Sequence, residues 1–341
     1  MNDIATAAHG VLLPIGASVE LEPWLLAFLG RGGRTVLAGE TREEYVACAM
    51  SPERRERETP ADFRRYAAEV ARVAGAPVAI AVDAELGGIQ RLSHLVPELP
   101  ARAELATVGS DDLEARSFAM AAAARSLGVT LFLGPILDVI SGRNVWLQGR
   151  TMASDPAEVQ RLATAYVAGC QRAGIVATAK HFPGYGDLSG DPALEDVSLR
   201  LGLADVERGI WPFRALVAAG VGAVMVGPAA VEAIDPGVPA ALSARVVARL
   251  RDALGFRGLI VSDDLDAPST CRRESVGETA VCALAAGVDL LLVSGGPGLE
   301  ATADAIVTAV ESGRLLRDRL LEAAGRVRSL ADGSGPAGRS A

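Results

Sequence analysis

The chain has 341 residues, half of them hydrophobic, a net charge of −9 and four cysteines. That length and apolar content allow a large core, as one barrel or as two ordinary domains. The acidic balance and the scatter of arginines argue against a nucleic-acid groove, and no apolar run approaches the roughly 18 residues of a membrane span.

Cys48, Cys170, Cys271 and Cys282 show no C-x-x-C spacing, and the histidines are His9, His94 and His181. A Cys/His metal site is therefore not expected, and no cofactor is. The opening residues MNDIATAAHGVLL lack a basic segment leading into a long apolar stretch, so a cytoplasmic protein is expected.

Short β-rich runs alternate with longer helical segments along the whole chain, the pattern of repeated β/α units on a parallel sheet. Strands are predicted at 10–16, 35–39, 77–83, 130–135, 175–179, 223–227, 258–263 and 288–294. Helices are predicted at 61–74, 111–127, 156–173, 204–219, 244–254, 274–286 and from 299 onward. Thr59-Pro60 and Asp155-Pro156 each place a cap and a first-turn proline before a helix, and Gly174, Gly220 and Gly287 end helices. Eight such units imply an α/β fold, a single (β/α)8 TIM barrel over 1–330. The segment ADGSGPAGRSA, 331–341, is too small and polar to pack and reads as a disordered tail.

In such a barrel the residues just past the strand ends line the active site. Here they are Asp83, Asp138 with the loop running on to Arg150, Lys180 and His181, and Asp263 with Asp264. KHFPGYGD, 180–187, sets a cation and an imidazole after the apolar run GIVATA. Carboxylates and cations converging on one mouth are costly to bury unless they meet a polar ligand or one another. A polyhydroxylated ligand would satisfy many of them.

The segments VDAELGGIQRL, PILDVISGRNVWLQGRTMASDP, AKHFPGYGD and GFRGLIVSDDL occur in this order, and the chain resembles glycoside hydrolase family 3. The similarity runs to about residue 330 and is to the single-barrel bacterial β-N-acetylglucosaminidases of the NagZ type. The resemblance implies a retaining β-glycosidase in which a carboxylate attacks the anomeric carbon and the glycosyl-enzyme ester is released to water or another acceptor. Asp263 matches the nucleophile, and Asp264 reads as a cap of the following helix. Asp83, Arg91, Arg150, Lys180 and His181 match residues that hold the hydroxyls of the terminal sugar. The implied partner is a small-molecule or oligosaccharide substrate with a β-linked amino sugar, handled by a monomer.

The chain departs from that family at its proton donor. Where relatives continue into D-S-H, with the aspartate orienting a catalytic histidine, this chain reads Asp191-Pro192-Ala193. The E-G-G-R segment reads Glu85 to Gly88, a loop histidine is Tyr185, and M-x-A-H-V reads VGPAAV from Val226. Losing a general acid removes roughly 10² to 10⁴ in rate. Three readings follow. Asp191, Asp187 or Glu195 takes over as acid/base, about 5 Å from Asp263 in the usual retaining arrangement. Alternatively, the substrate has a good leaving group or the sugar passes to a strong acceptor, as in a specialised biosynthetic step. In the third, the barrel is a sugar-binding pseudoenzyme.

Overall fold

The computed structural model describes residues 3–334. Eight parallel strands form the barrel: β1 Leu12–Gly16, β2 Thr35–Ala38, β3 Ala79–Asp83, β4 Val129–Leu133, β5 Val176–Phe182, β6 Ala223–Val226, β7 Leu259–Ser262 and β8 Leu291–Ser294. They pair in the order β8-β1-β2-β3-β4-β5-β6-β7. A parallel bridge from Val261 to Leu290 joins β7 to the chain entering β8 and closes the ring. The protein is the expected (β/α)8 barrel.

Parallel neighbours require crossovers, and each crossover carries a helix whose apolar face covers the sheet. Pro60–Ala74 begins with Thr59 accepting from the Asp62 amide while the Asp62 carboxylate accepts from the Thr59 amide, a capping box. Pro156–Arg172 begins on Asp155, which accepts from the Ala157 amide. Gly287 closes Val276–Ala286 in the left-handed region, where a side chain would be strained. The helix after β1, Pro23–Gly30, has no counterpart among the predicted helices. Its sequence PWLLAFLG is apolar nearly all round, so it shows no helical periodicity to read.

The barrel interior is filled by side chains such as Leu13, Leu37, Leu131, Met225, Val261 and Leu292. Val327, Leu330 and Ala331 of the last helix, Arg317–Ala331, join the same cluster and plug its lower end. Buried Asp289 lies just before β8 and gathers Arg251, Arg319 at 2.7 Å and Arg326 at 2.9 Å. The lower face is thus closed by apolar packing and a charge cluster, leaving the opposite mouth for chemistry. Ala331, expected to open a tail, instead ends the last helix in a buried position. Residues 335–341 of that segment lie outside the described residues.

Candidate active site

A cavity of about 350 Å³ opens at the C-terminal ends of the strands, a size that holds a small ligand. Leu37, Leu133, Met225 and Leu292 form its floor and are also the upper layer of the barrel interior. Its polar wall is built by Glu40 after β2, Asp83 ending β3, Lys180 and His181 in β5, and Asp263 and Asp264 after β7.

Lys180 and His181 were expected to follow their strand, yet β5 runs through Phe182. The extension is held by the chain after β4: the Lys180 amide donates to the Pro135 carbonyl at 3.0 Å and the Leu137 amide to the Lys180 carbonyl at 2.6 Å. On the other side the β5–β6 register shifts between Ala179 and Phe182. Such an irregularity re-aims side chains that strict alternation would send to opposite faces. Both Lys180 and His181 therefore reach the cavity.

Asp138 fixes the imidazole. One of its oxygens, Oδ2, accepts from the His181 amide at 3.0 Å and lies 2.8 Å from His181 Nδ1, while Oδ1 accepts from the Tyr185 amide at 2.7 Å. A carboxylate only accepts, so Nδ1 carries the hydrogen and Nε2 is turned towards Asp263, 3.8 Å from its Oδ2. Trp146 packs on the imidazole with ring centres 4.5 Å apart. Asp263 Oδ1 accepts from the Asp264 amide at 2.8 Å, and Oδ2 has no hydrogen-bond partner. One oxygen is anchored and the other is left for a reacting atom.

Behind this pair lies a dense ionic layer. Lys180 Nζ stands 2.8 Å from both Asp83 Oδ1 and Glu85 Oε1. Arg150 donates to the Glu85 carboxylate through Nε at 3.1 Å and Nη2 at 2.6 Å. Burial by itself would raise the Glu85 pKa, but Arg150 and Lys180 outweigh it and hold the carboxyl well below the usual range. Burial by itself would lower Lys180, but Asp83 and Glu85 hold it above its ordinary value. Lys180 is thus a fixed ammonium.

The sugar-holding role expected of Arg91 does not fit its surroundings. Its guanidinium is bound by both oxygens of Glu58, at 2.6 and 2.7 Å, and by the Gly39 carbonyl at 2.7 Å, and it does not reach the cavity wall. Arg150 also stands one layer back, over the rings of Tyr45 and Trp146 and locked to Glu85. Glu40, Arg42 and Tyr45 line the wall without having been expected there, and Trp146 enters it from the expected loop between Asp138 and Arg150.

Ala193 lines the cavity where the resemblance placed a histidine, and its amide donates to Asp191 Oδ1 at 2.9 Å. Its loop is pinned from two sides. Arg42 lies 3.7 Å from Asp191 Oδ2, and Ser269 donates to the Glu195 carbonyl while accepting from the Val197 amide. Of the three acid/base candidates, Asp191 stands at the rim engaged in this turn. Asp187 packs its carboxylate against Gly142, and exposed Glu195 folds over Gly190. None of the three belongs to the cavity wall. Two other departures meet, since the buried Tyr185 hydroxyl donates to the Ala229 carbonyl at 2.9 Å.

Asp264 has a different character from its neighbour. Its Oδ1 accepts from the Asp266 amide at 2.9 Å, closing a turn before the short helix Pro268–Cys271, so the expected cap is a local turn. Burial, then the nearby Asp266 and Asp263, push its carboxyl up to about 7. A carboxyl whose pKa is raised towards neutrality therefore sits in the wall next to Asp263.

The Glycosyl hydrolase family 3 N terminal domain matches residues 46–330. A "Beta-hexosaminidase" of Nitrosomonas eutropha is 31% identical over 263 residues, 74% of each chain. One of Methylococcus capsulatus is 36% identical over 238 residues, 68% of this chain and 70% of that protein. Among solved structures, a family 3 β-N-acetylglucosaminidase from a Paenibacillus species superposes with a TM-score of 0.88 at 28% identity. All of this chain is covered there, spanning 64% of that protein's length. With a barrel of matching shape and a match over most of its length, the chain belongs to glycosyl hydrolase family 3.

Proposed function

We propose that the protein is a retaining β-N-acetylhexosaminidase or transglycosidase in which Asp263 is the nucleophile and Asp264 the substitute proton donor. The observation that carries this reading is the unpartnered, buried Oδ2 of cavity-lining Asp263 beside an imidazole held by Asp138. Oδ2 attacks the anomeric carbon, the bond from that carbon to the leaving oxygen breaks, and a glycosyl ester forms on Asp263. The Asp264 carboxyl gives its proton to the departing oxygen. It then takes one from the water or acceptor hydroxyl that attacks the same carbon and releases Asp263. His181 Nε2, Lys180 and Asp83 hold sugar hydroxyls, positioning the carbon for attack.

A second reading, non-catalytic sugar binding, is favoured by one observation: the wall position matching the family's proton donor is Ala193. An aryl β-N-acetylglucosaminide, whose leaving group needs little protonation, separates the two. Cleavage by the wild type and its abolition in Asp263→Ala supports the enzyme. Equal inertness of both proteins with retained sugar binding supports the pseudoenzyme. We place the enzyme in the cytoplasm as a monomer; among the described residues no helix is long and apolar enough to cross a membrane.

A further inference from the structure

Besides Asp263 Oδ2, the cavity wall holds one more buried carboxylate oxygen without a hydrogen-bond partner among the described residues. Glu40 follows β2 and lines the wall, and its Oε2 is buried without a hydrogen bond. Nearby carboxylates and cations are already committed to one another. Asp83 and Glu85 share Lys180, and Glu85 also takes Arg150. Arg91, which holds the carbonyl of Gly39 just before Glu40, is neutralised by Glu58. Setting that pair aside, the layer around Lys180 has three carboxylates, Glu40, Asp83 and Glu85, against two cations, Lys180 and Arg150, while Arg42 of the same wall is turned to Asp191. The surplus charge belongs to Glu40.

A buried carboxylate without a cation is unfavourable, and the group responds by keeping its proton. Accordingly, burial and then Asp83 raise the Glu40 pKa well above the ordinary value. A ligand that brings its own cation to this point would reverse that response and balance the layer. The position of that cation on the sugar follows from the barrel. Asp263 stands after β7 and Glu40 after β2, three steps round the ring through β8 and β1. A pyranose that presents its anomeric carbon to Asp263 turns its far edge towards Glu40 and Asp83.

We propose that the terminal sugar accepted here carries a free amino group on the edge remote from the cleaved bond, and that Glu40 binds that ammonium as a specificity-determining residue. The inference rests on the glycosidase reading for the orientation of the sugar. A charge-assisted hydrogen bond in a partly dry site is the strong kind. A neutral hydroxyl at the same place would instead have to be served by a protonated Glu40.

The test is calorimetric and independent of turnover. Methyl N-acetyl-β-D-glucosaminide and its 4-amino-4-deoxy and 6-amino-6-deoxy analogues are titrated at pH 7 into wild type and Glu40→Gln. One amino analogue is expected to bind wild type at least about tenfold tighter than the hydroxyl parent, the ordinary scale for a hydrogen bond to a charged group. Glu40→Gln should erase that advantage, bringing the amino analogue down to the affinity of the hydroxyl parent on the same variant, and should raise Tm. The proposal is overturned if neither amino analogue outbinds the parent on wild type, a comparison that needs no variant to fold, or if the advantage survives in Glu40→Gln. Parallel assays with aryl glycosides of all three sugars judge the glycosidase reading separately. Absence of cleavage throughout would remove that reading, while the titrations still decide the role of Glu40.

Discussion

His181 Nε2 lies 3.8 Å from Asp263 Oδ2, and the same imidazole is held from behind by Asp138 at 2.8 Å from Nδ1. The relationship makes Asp138 a positioning residue that acts through His181. Asp138→Asn should lower kcat/KM by about 10- to 100-fold, the scale seen when the group orienting a functional histidine is removed. His181→Ala should lose a similar amount, and the double variant little more than either alone. Additive losses in that cycle would show that Asp138 and His181 act separately.

Lys180 is the cation shared by Asp83 and Glu85, so removing it strands carboxylates in a buried layer. Lys180→Ala should lower unfolding stability by about 3–5 kcal/mol, as for other broken buried pairs, and should also raise KM. Urea unfolding monitored by tryptophan fluorescence measures the first effect. An unchanged midpoint would mean that water reaches this layer and screens it.

Asp264 has its folded pKa raised to about 7 by burial, Asp266 and Asp263, against an ordinary value of 3.8. The folded protein therefore binds a proton more tightly than the unfolded chain, and the stability from this group is fully present below about pH 4. It declines as pH rises towards 7 and levels off above, at up to about 1.4 kcal/mol per pH unit. Asp264→Asn keeps the acceptor for the Asp266 amide and removes the titration. Unfolding free energies measured from pH 4 to 8 should fall less steeply in the variant than in wild type; identical slopes would remove Asp264 as their source.

Ala193 faces the cavity from a turn closed by Asp191. Ala193→His should put an imidazole at the wall and raise cleavage of unactivated β-N-acetylglucosaminides by at least about tenfold, a fraction of the roughly 10² to 10⁴ of full general-acid assistance, with little change for dinitrophenyl glycosides. A gain of equal size on both leaving groups would point to altered binding instead of proton transfer.

Much of this arrangement was legible in the residues. The eight β-rich runs became the eight strands, and Asp83, Lys180, His181 and Asp263 reached one cavity as their strand-end positions implied. What failed depends on contacts distant in sequence. Arg91 resembles a ligand-binding cation until Glu58, 33 positions earlier, takes both sides of its guanidinium. Glu40 sits in GETREE, which reads as a solvated charged run opening the Thr41-capped helix Arg42–Ala47. Only the closure of the barrel beside Asp83, Lys180 and Glu85 buries its Oε2. Lys180 and His181 fell within the strand because pairing to the chain after β4 prolonged it, a tertiary effect that no local pattern carries.

A nucleophilic Asp263 must pass through a covalent glycosyl ester. Its most direct measurement is intact-protein mass spectrometry after incubation with an activated 2-deoxy-2-fluoro-β-glycoside, followed by peptide mapping. One sugar added per chain is expected, on the peptide bearing Asp263, and none on Asp263→Asn. Cleavage of the reagent with no adduct at any time, or with the adduct on another residue, would contradict it.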